Sequence, residues 1–99
     1  GVGKFLSNIV SNYLEEKQIP AHWFTVNKII LINPSLIVTV SRDKTMRIWD
    51  KENLLLIKSL DISKGGHINS VNDIVYFPEI SMLATASDDK SIILWKIFP

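Results

Sequence analysis

The amino-acid sequence predicts a mainly β chain: two four-stranded-type antiparallel blades, the second lacking its outer strand, preceded by a short helix. Three observations carry this. Among the 99 residues are 15 Ile, 7 Val and 4 Thr, and β-branched side chains suit a pleated, half-buried surface. The apolar runs are short and end at Pro, Gly or polar turns, which is the punctuation of strands. One ordered set of residues also occurs twice. His22 and His67 are 45 positions apart, Pro34 and Pro78 are 44 apart, and the pairs Ser41/Ser87, Asp43/Asp89 and Trp49/Trp95 are each 46 apart. Self-similarity at such a period marks stacked units of one supersecondary structure.

The elements follow in chain order. Phe5-Leu6, Ile9-Val10 and Tyr13-Leu14 are apolar pairs separated by polar pairs, a helical spacing that puts all six on one stripe. With Pro20 as the stop, the helix is expected over residues 4–18. It packs on the β units, or serves as a partner-binding or dimerising helix; part of the segment also reads as the outer strand of a preceding blade. The first unit then gives strands over 26–32, 36–41, 45–50 and 54–60, with Arg42-Asp43-Lys44 as a tight turn. The loop from Asp61 to Gly66 returns the chain to His67. The second unit gives strands over 71–77, 82–87 and 91–96, the first stopped by Pro78, which cannot donate to a ladder. Asp88-Asp89-Lys90 repeats the polar turn. The organisation is therefore an N-terminal helix or linker over 1–20, a first repeat over 21–63 and an incomplete second repeat over 64–99.

A period near 45 with four strands per unit is that of one β-propeller blade. Gly66-His67, followed by Ser87-x-Asp89 and by Trp95 six residues after the Asp, resembles the WD-repeat β-propeller family; so does Trp49-Asp50, six residues after Asp43. The resemblance spans residues 22–96 in two in-register copies. The chain departs from the family pattern at Ala21, where Gly should stand, and at Lys96, where Asp should follow Trp95. Neither position belongs to the hydrogen-bonding set of the motif. A closed propeller needs four to eight blades, and in the family the last blade is typically completed by a strand from the N-terminal region. The resemblance thus implies the C-terminal end of a longer propeller, or a remnant of one. The alternative is a short natural protein that builds a ring from several copies.

In the family a loop His, a strand hydroxyl, a turn Asp and a Trp indole form one buried hydrogen-bond chain. The resemblance implies His22, Thr39 or Ser41, Asp43 and Trp49 in the first copy, and His67, Thr85 or Ser87, Asp89 and Trp95 in the second. The two hydroxyls of each copy share a strand face, so the spacing leaves both open. Ser, His and Asp are also the ingredients of a nucleophilic triad. Duplication at blade spacing, and the lack of nucleophile-elbow glycines beside Ser41 or Ser87, argue for a structural role. In an antiparallel blade the loop before the first strand and the turn between the second and third lie at one end. That end carries Trp23, Phe24, Thr25, Asn69, Ser70, Asn72, Arg42 and Asp88, the candidate partner-binding surface. Trp, Phe and Arg are hot-spot types. Because neighbouring strand residues point opposite ways, at most one of Trp23 and Phe24 is expected to pack between blades, leaving an exposed aromatic beside Arg42.

Other chemistry is sparse. The chain has no Cys, and its only two His residues are both assigned to blades, so neither a metal site nor a cofactor is expected. Asp88-Asp89 reads as a turn rather than a metal-binding pair. Gly1, Gly3, Gly65 and Gly66 form no phosphate-cradling loop. Arg42, Lys44, Arg47 and Lys51 are interleaved with Asp43, Asp50 and Glu52, as on a solvated rim. Some WD-repeat proteins dock on a ubiquitin-ligase adaptor through an Arg two residues after the Asp of the Trp-Asp dipeptide; Glu52 and Phe98 stand there, which disfavours that role. A net charge of +1 argues against a nucleic-acid-binding stripe or a membrane surface. The apolar runs fall far short of a membrane span, and no secretory signal is evident, so a soluble, cytoplasmic protein is expected. What the resemblance implies is a non-catalytic protein–protein interaction scaffold. Its partners would be a protein or peptide, together with the remaining blades of a parent chain or other copies. The alternatives are the regulatory segment of a multidomain ATPase, kinase or protease, and a self-assembling structural unit.

Overall fold

Short β-branched runs joined by tight polar turns pair with their sequence neighbours, and the result is two antiparallel sheets. A computed structural model describes residues 18–97. The first sheet holds β1 (Val26–Asn33), β2 (Leu36–Ser41), β3 (Met46–Asp50) and β4 (Leu56–Leu60) in that order; the second holds β5 (Val71–Phe77), β6 (Met82–Ser87) and β7 (Ile92–Lys96). Single 3-10 turns cover Ile62–Lys64 and Pro78–Ile80. Apart from Gln18, the helix expected over 4–18 lies outside the described residues. Among those residues there is no α-helix, and none is long and apolar enough to cross a membrane.

Three strands begin later than the sequence suggests, each for a local reason. Thr45 and Ser91 give their backbone N–H groups to the Asp43 and Asp89 carboxylates at 3.0 and 2.9 Å. They belong to the turns, and β3 and β7 start one residue on. Leu54 sits at φ 53° and donates its N–H to the Asp50 carbonyl at 2.9 Å, so β4 starts at Leu56. The two tight turns share another feature: Lys44 and Lys90 occupy equivalent left-handed positions, at φ 74° and 69°.

The core lies between the sheets. The pleat places Ile30, Val38 and Ile48 on one face of the first sheet, in register with one another, and Ile32, Val40 and Met46 share that face. It packs against Ile74, Tyr76, Leu83 and Trp95 of the second sheet. β1 lies against β5, so the first strand of each sheet is the inner one. Two polar links tie these inner strands. Asn27 Nδ2 donates to the Val71 carbonyl at 2.7 Å, and Lys28 Nζ meets Asp73 Oδ1 at 3.0 Å.

Candidate functional site

Each sheet carries a buried polar chain that ends at the loop-bearing rim. Trp49 stands on β3 and Thr39 on β2, while His22 comes from the segment before β1. The Trp49 indole N–H donates to Thr39 Oγ1 at 2.8 Å. An indole can only donate, so Thr39 turns its own proton toward His22 Nε2, 2.6 Å away. That leaves His22 Nδ1 to donate to Asp43 Oδ2 at 2.8 Å. The His22 ring also meets Trp49 edge-on, with centroids 6.5 Å apart. The second sheet repeats the order: Trp95 to Thr85 at 2.9 Å, Thr85 to His67 at 2.8 Å, and His67 to Asp89 at 2.9 Å. No fully buried side-chain polar atom lacks a partner among the described residues.

The hydroxyl in both chains is the threonine. Ser41 and Ser87 act one step nearer the turn. Each accepts the backbone N–H of its Asp, from Asp43 and Asp89 respectively, at 3.0 Å. The carboxylates in turn organise the rim. Asp43 Oδ2 accepts the Trp23 N–H and Asp89 Oδ2 accepts the Ile68 N–H, both at 3.1 Å. The Thr45 hydroxyl donates to Asp43 Oδ1, and the Ser91 hydroxyl to Asp89 Oδ1.

These contacts set the charge states. Burial pushes the His22 pKa down from 6.5 and outweighs the opposing pull of Asp43. Burial raises Asp43, but hydrogen bonds from Thr45, the Trp23 N–H and His22 more than reverse it, so the carboxyl sits below 3.8. Asp89 is held well below the usual carboxylate range, chiefly by the Ser91 hydroxyl. Thr39, His22 and Asp43 have the connectivity of a nucleophilic triad, but Thr39 is buried and already holds an indole proton. A hydroxyl so placed has no access to a substrate. Among the described residues no group of three His, Cys, Asp or Glu is placed to hold a metal.

The candidate partner-binding residues fall into two groups. Trp23 and Phe24 are both exposed, at 83% and 64%, although the alternation of strand residues would allow one of them to be buried. The reason is that β1 begins only at Val26, so strand alternation does not govern them. Thr25 and Arg42, also exposed, lie side by side because the Arg42 N–H donates to the Thr25 carbonyl at 3.0 Å. Asn69, Asn72 and Asp88 are exposed in the second sheet, with Asn72 Nδ2 donating to Asp88 Oδ1 at 2.6 Å. Ser70 is not on this surface: it is 6% exposed and spends its hydroxyl on Asn72 Oδ1 at 2.8 Å. Two contributors were not singled out from the sequence. Ile68 takes the place in the second copy that Trp23 takes in the first. Asn27 ties the sheets together, and the only hint of it was the repeated Val-Asn at 26–27 and 71–72.

Comparison with known proteins agrees with this geometry. The family described as "WD domain, G-beta repeat" matches residues 15–50 and 57–96. The nuclear distribution protein PAC1 of Candida albicans is 38% identical over 90 residues, covering 88% of this chain and 18% of that protein. Lissencephaly-1 homolog 1 of Paramecium tetraurelia is 38% identical over 63 residues, covering 64% and 15%. The human WD repeat and SOCS box-containing protein 1 is 36% identical over 63 residues, covering 63% and 14%. The chain therefore spans less than a fifth of the length of these relatives. The crystal structure of the computationally designed Ika4 protein superposes with a TM-score of 0.66 at 18% identity, covering 81% of this chain and 46% of that one; this likeness bears on the fold alone.

Proposed function

The chain belongs to the WD-repeat family, and on that premise we propose that it is a non-catalytic scaffold whose loop-bearing rim holds a protein or peptide partner. One observation carries the reading: Trp23 and Phe24 both stand exposed, next in the chain to Thr25, on a backbone held in place from within. The Trp23 N–H is fixed by Asp43, and the Thr25 carbonyl by the Arg42 N–H. A rigid aromatic loses little entropy on binding, and an Arg on the same rim adds directional hydrogen bonds, the combination found at interface hot spots. The polar chains behind the rim support a structural rather than a catalytic role, because their hydroxyls are enclosed.

The test is selection of a displayed random-peptide library on the 99-residue chain, followed by affinity measurement with Trp23→Ala, Phe24→Ala and Arg42→Glu, each first shown to be folded. The reading expects the aromatic substitutions to weaken the selected peptides by about tenfold or more, equivalent to about 1.4 kcal/mol. If all three variants bind like the wild type, the site lies elsewhere.

A further inference from the structure

β3 leaves the rim and β4 returns to it, with Met46 opposite Leu60. The chain leaving β4 therefore reaches the rim beside the turn over 42–45, and the 3-10 turn Ile62–Lys64 carries it across to the His67 loop of the second repeat. Between turn and loop lies a hollow of about 360 Å³, large enough for a side chain of a ligand. Its walls come from two consecutive repeats, whereas the outward faces of the sheets are what neighbouring blades meet in a propeller. Three apolar side chains line it, Trp23, Ile62 and Ile68, all more than half exposed. Each stands on backbone that an aspartate fixes. Asp43 accepts the Trp23 N–H and Asp89 the Ile68 N–H, while Asp61 caps the turn holding Ile62 by accepting the Ser63 N–H at 2.9 Å. The Gly66 N–H closes the same loop on the Asp61 carbonyl at 2.8 Å. Apolar groups held in solvent on a fixed backbone lose little freedom when a partner covers them.

The charges at the mouth are one-sided. The turn and loop over 42–47 and 61–64 carry four cations, Arg42, Lys44, Arg47 and Lys64, against two carboxylates, Asp43 and Asp61. Both oxygens of Asp43 are already taken, Oδ2 by His22 and the Trp23 N–H and Oδ1 by Thr45. Asp61 spends Oδ1 on Ser63 and has Lys64 nearby. The cations keep spare donors. Lys44, on the wall of the hollow, has no partner among the described residues. Arg47, on the same wall, gives Nε to Ser59 Oγ and Nη1 to the Ala21 carbonyl, at 3.2 and 2.7 Å, and retains Nη2. Apolar walls beside uncommitted cations suit an apolar side chain with a carboxylate next to it, and repel a basic segment. We propose that this hollow takes an acidic peptide, with one apolar side chain seated among Trp23, Ile62 and Ile68 and a neighbouring Asp or Glu held by Lys44 and Arg47. The proposal rests on the rim reading through Trp23 and adds to it the place and the chemistry of the ligand.

The experiment is selection of a displayed random-peptide library on the chain bearing both repeats. The selected peptides are synthesised and titrated against Ile62→Ala, Ile68→Ala, Lys44→Glu and Lys44→Gly, each first shown to be folded by circular dichroism. Ile62 and Ile68 are exposed, and Lys44 holds a left-handed position at φ 74° that Gly adopts without strain, so the fold is expected to persist. The peptides are expected to share an apolar residue flanked by Asp or Glu, and to bind about tenfold more weakly to either Ile variant. Both Lys44 variants are expected to weaken them about fivefold. The same peptides with Asn or Gln in place of the carboxylates are expected to bind wild type and Lys44 variants alike. Basic or uncharged peptides, acidic peptides indifferent to all four substitutions, or no peptides at all because another part of the protein fills the hollow, would each overturn the proposal. Its failure is separable from that of the rim reading. Peptides that respond to Phe24→Ala and Arg42→Glu alone keep the rim and remove the hollow; peptides that respond to the Ile62, Ile68 and Lys44 variants alone uphold the hollow and remove the wider rim.

Discussion

Thr39 and Thr85 each hold two partners that nothing else in the fold replaces, an indole proton on one side and a histidine nitrogen on the other. Thr85→Val keeps the shape but strands Trp95 and His67, and loss of about 1–3 kcal/mol is expected in chemical denaturation. Trp95→Ala removes the ring as well, and about 3–5 kcal/mol is expected, enough to unfold a unit of this size. The charge states give a pH dependence of fixed sign. The folded pKa of His22 lies below its unfolded value of 6.5, and those of Asp43 and Asp89 lie below 3.8. In each case the unfolded chain takes up the proton first on acidification. The stability these groups supply is full above 6.5. It begins to fall below 6.5 through His22, and falls again below 3.8 through the two carboxylates. Thermal unfolding followed across that range checks it: a Tm that rises on acidification contradicts the assignment.

At the scale of elements, the turn chemistry holds what the spacing could and could not convey. His, Asp and Trp were legible because their separations repeat. The choice of threonine over serine was not, because both hydroxyls lie on one strand face. It is settled by register: Thr39 stands opposite Arg47, two places from the Ile37–Trp49 pair, whereas Ser41 adjoins the turn and caps it. The strands were legible to within a residue or two, and they miss where a side chain or a positive φ takes over a backbone group, as at Thr45, Ser91 and Leu54. The exposure of both Trp23 and Phe24 was not legible, since alternation applies only once a strand has begun. The loop before His67 shows why the family pattern has Gly there. A Cβ on Gly66 would lie 2.6 Å from the Asp61 carbonyl oxygen, which is backbone and cannot step aside. Gly66→Ala is expected to cost about 1–3 kcal/mol through that overlap, read from denaturant midpoints. The first copy tolerates Ala21 at the matching position, where its carbonyl accepts from Arg47 Nη1 at 2.7 Å.

At the scale of the molecule, interior and rim have different tasks, and the three tryptophans divide between them. Trp49 and Trp95 donate inward to threonine hydroxyls, and Trp23 stands in solvent with only its backbone anchored. The central claim is that the two polar chains lock the sheets while the same carboxylates hold an exposed aromatic rim in place. Hydrogen exchange of the three indole N–H protons, followed by two-dimensional NMR, tests this most directly. The account predicts that the Trp49 and Trp95 indole protons exchange slowly, together with the β-sheet amides, and that the Trp23 indole proton exchanges at the rate of a free side chain. Rapid exchange of all three, or protection of Trp23 in the free protein, would contradict it.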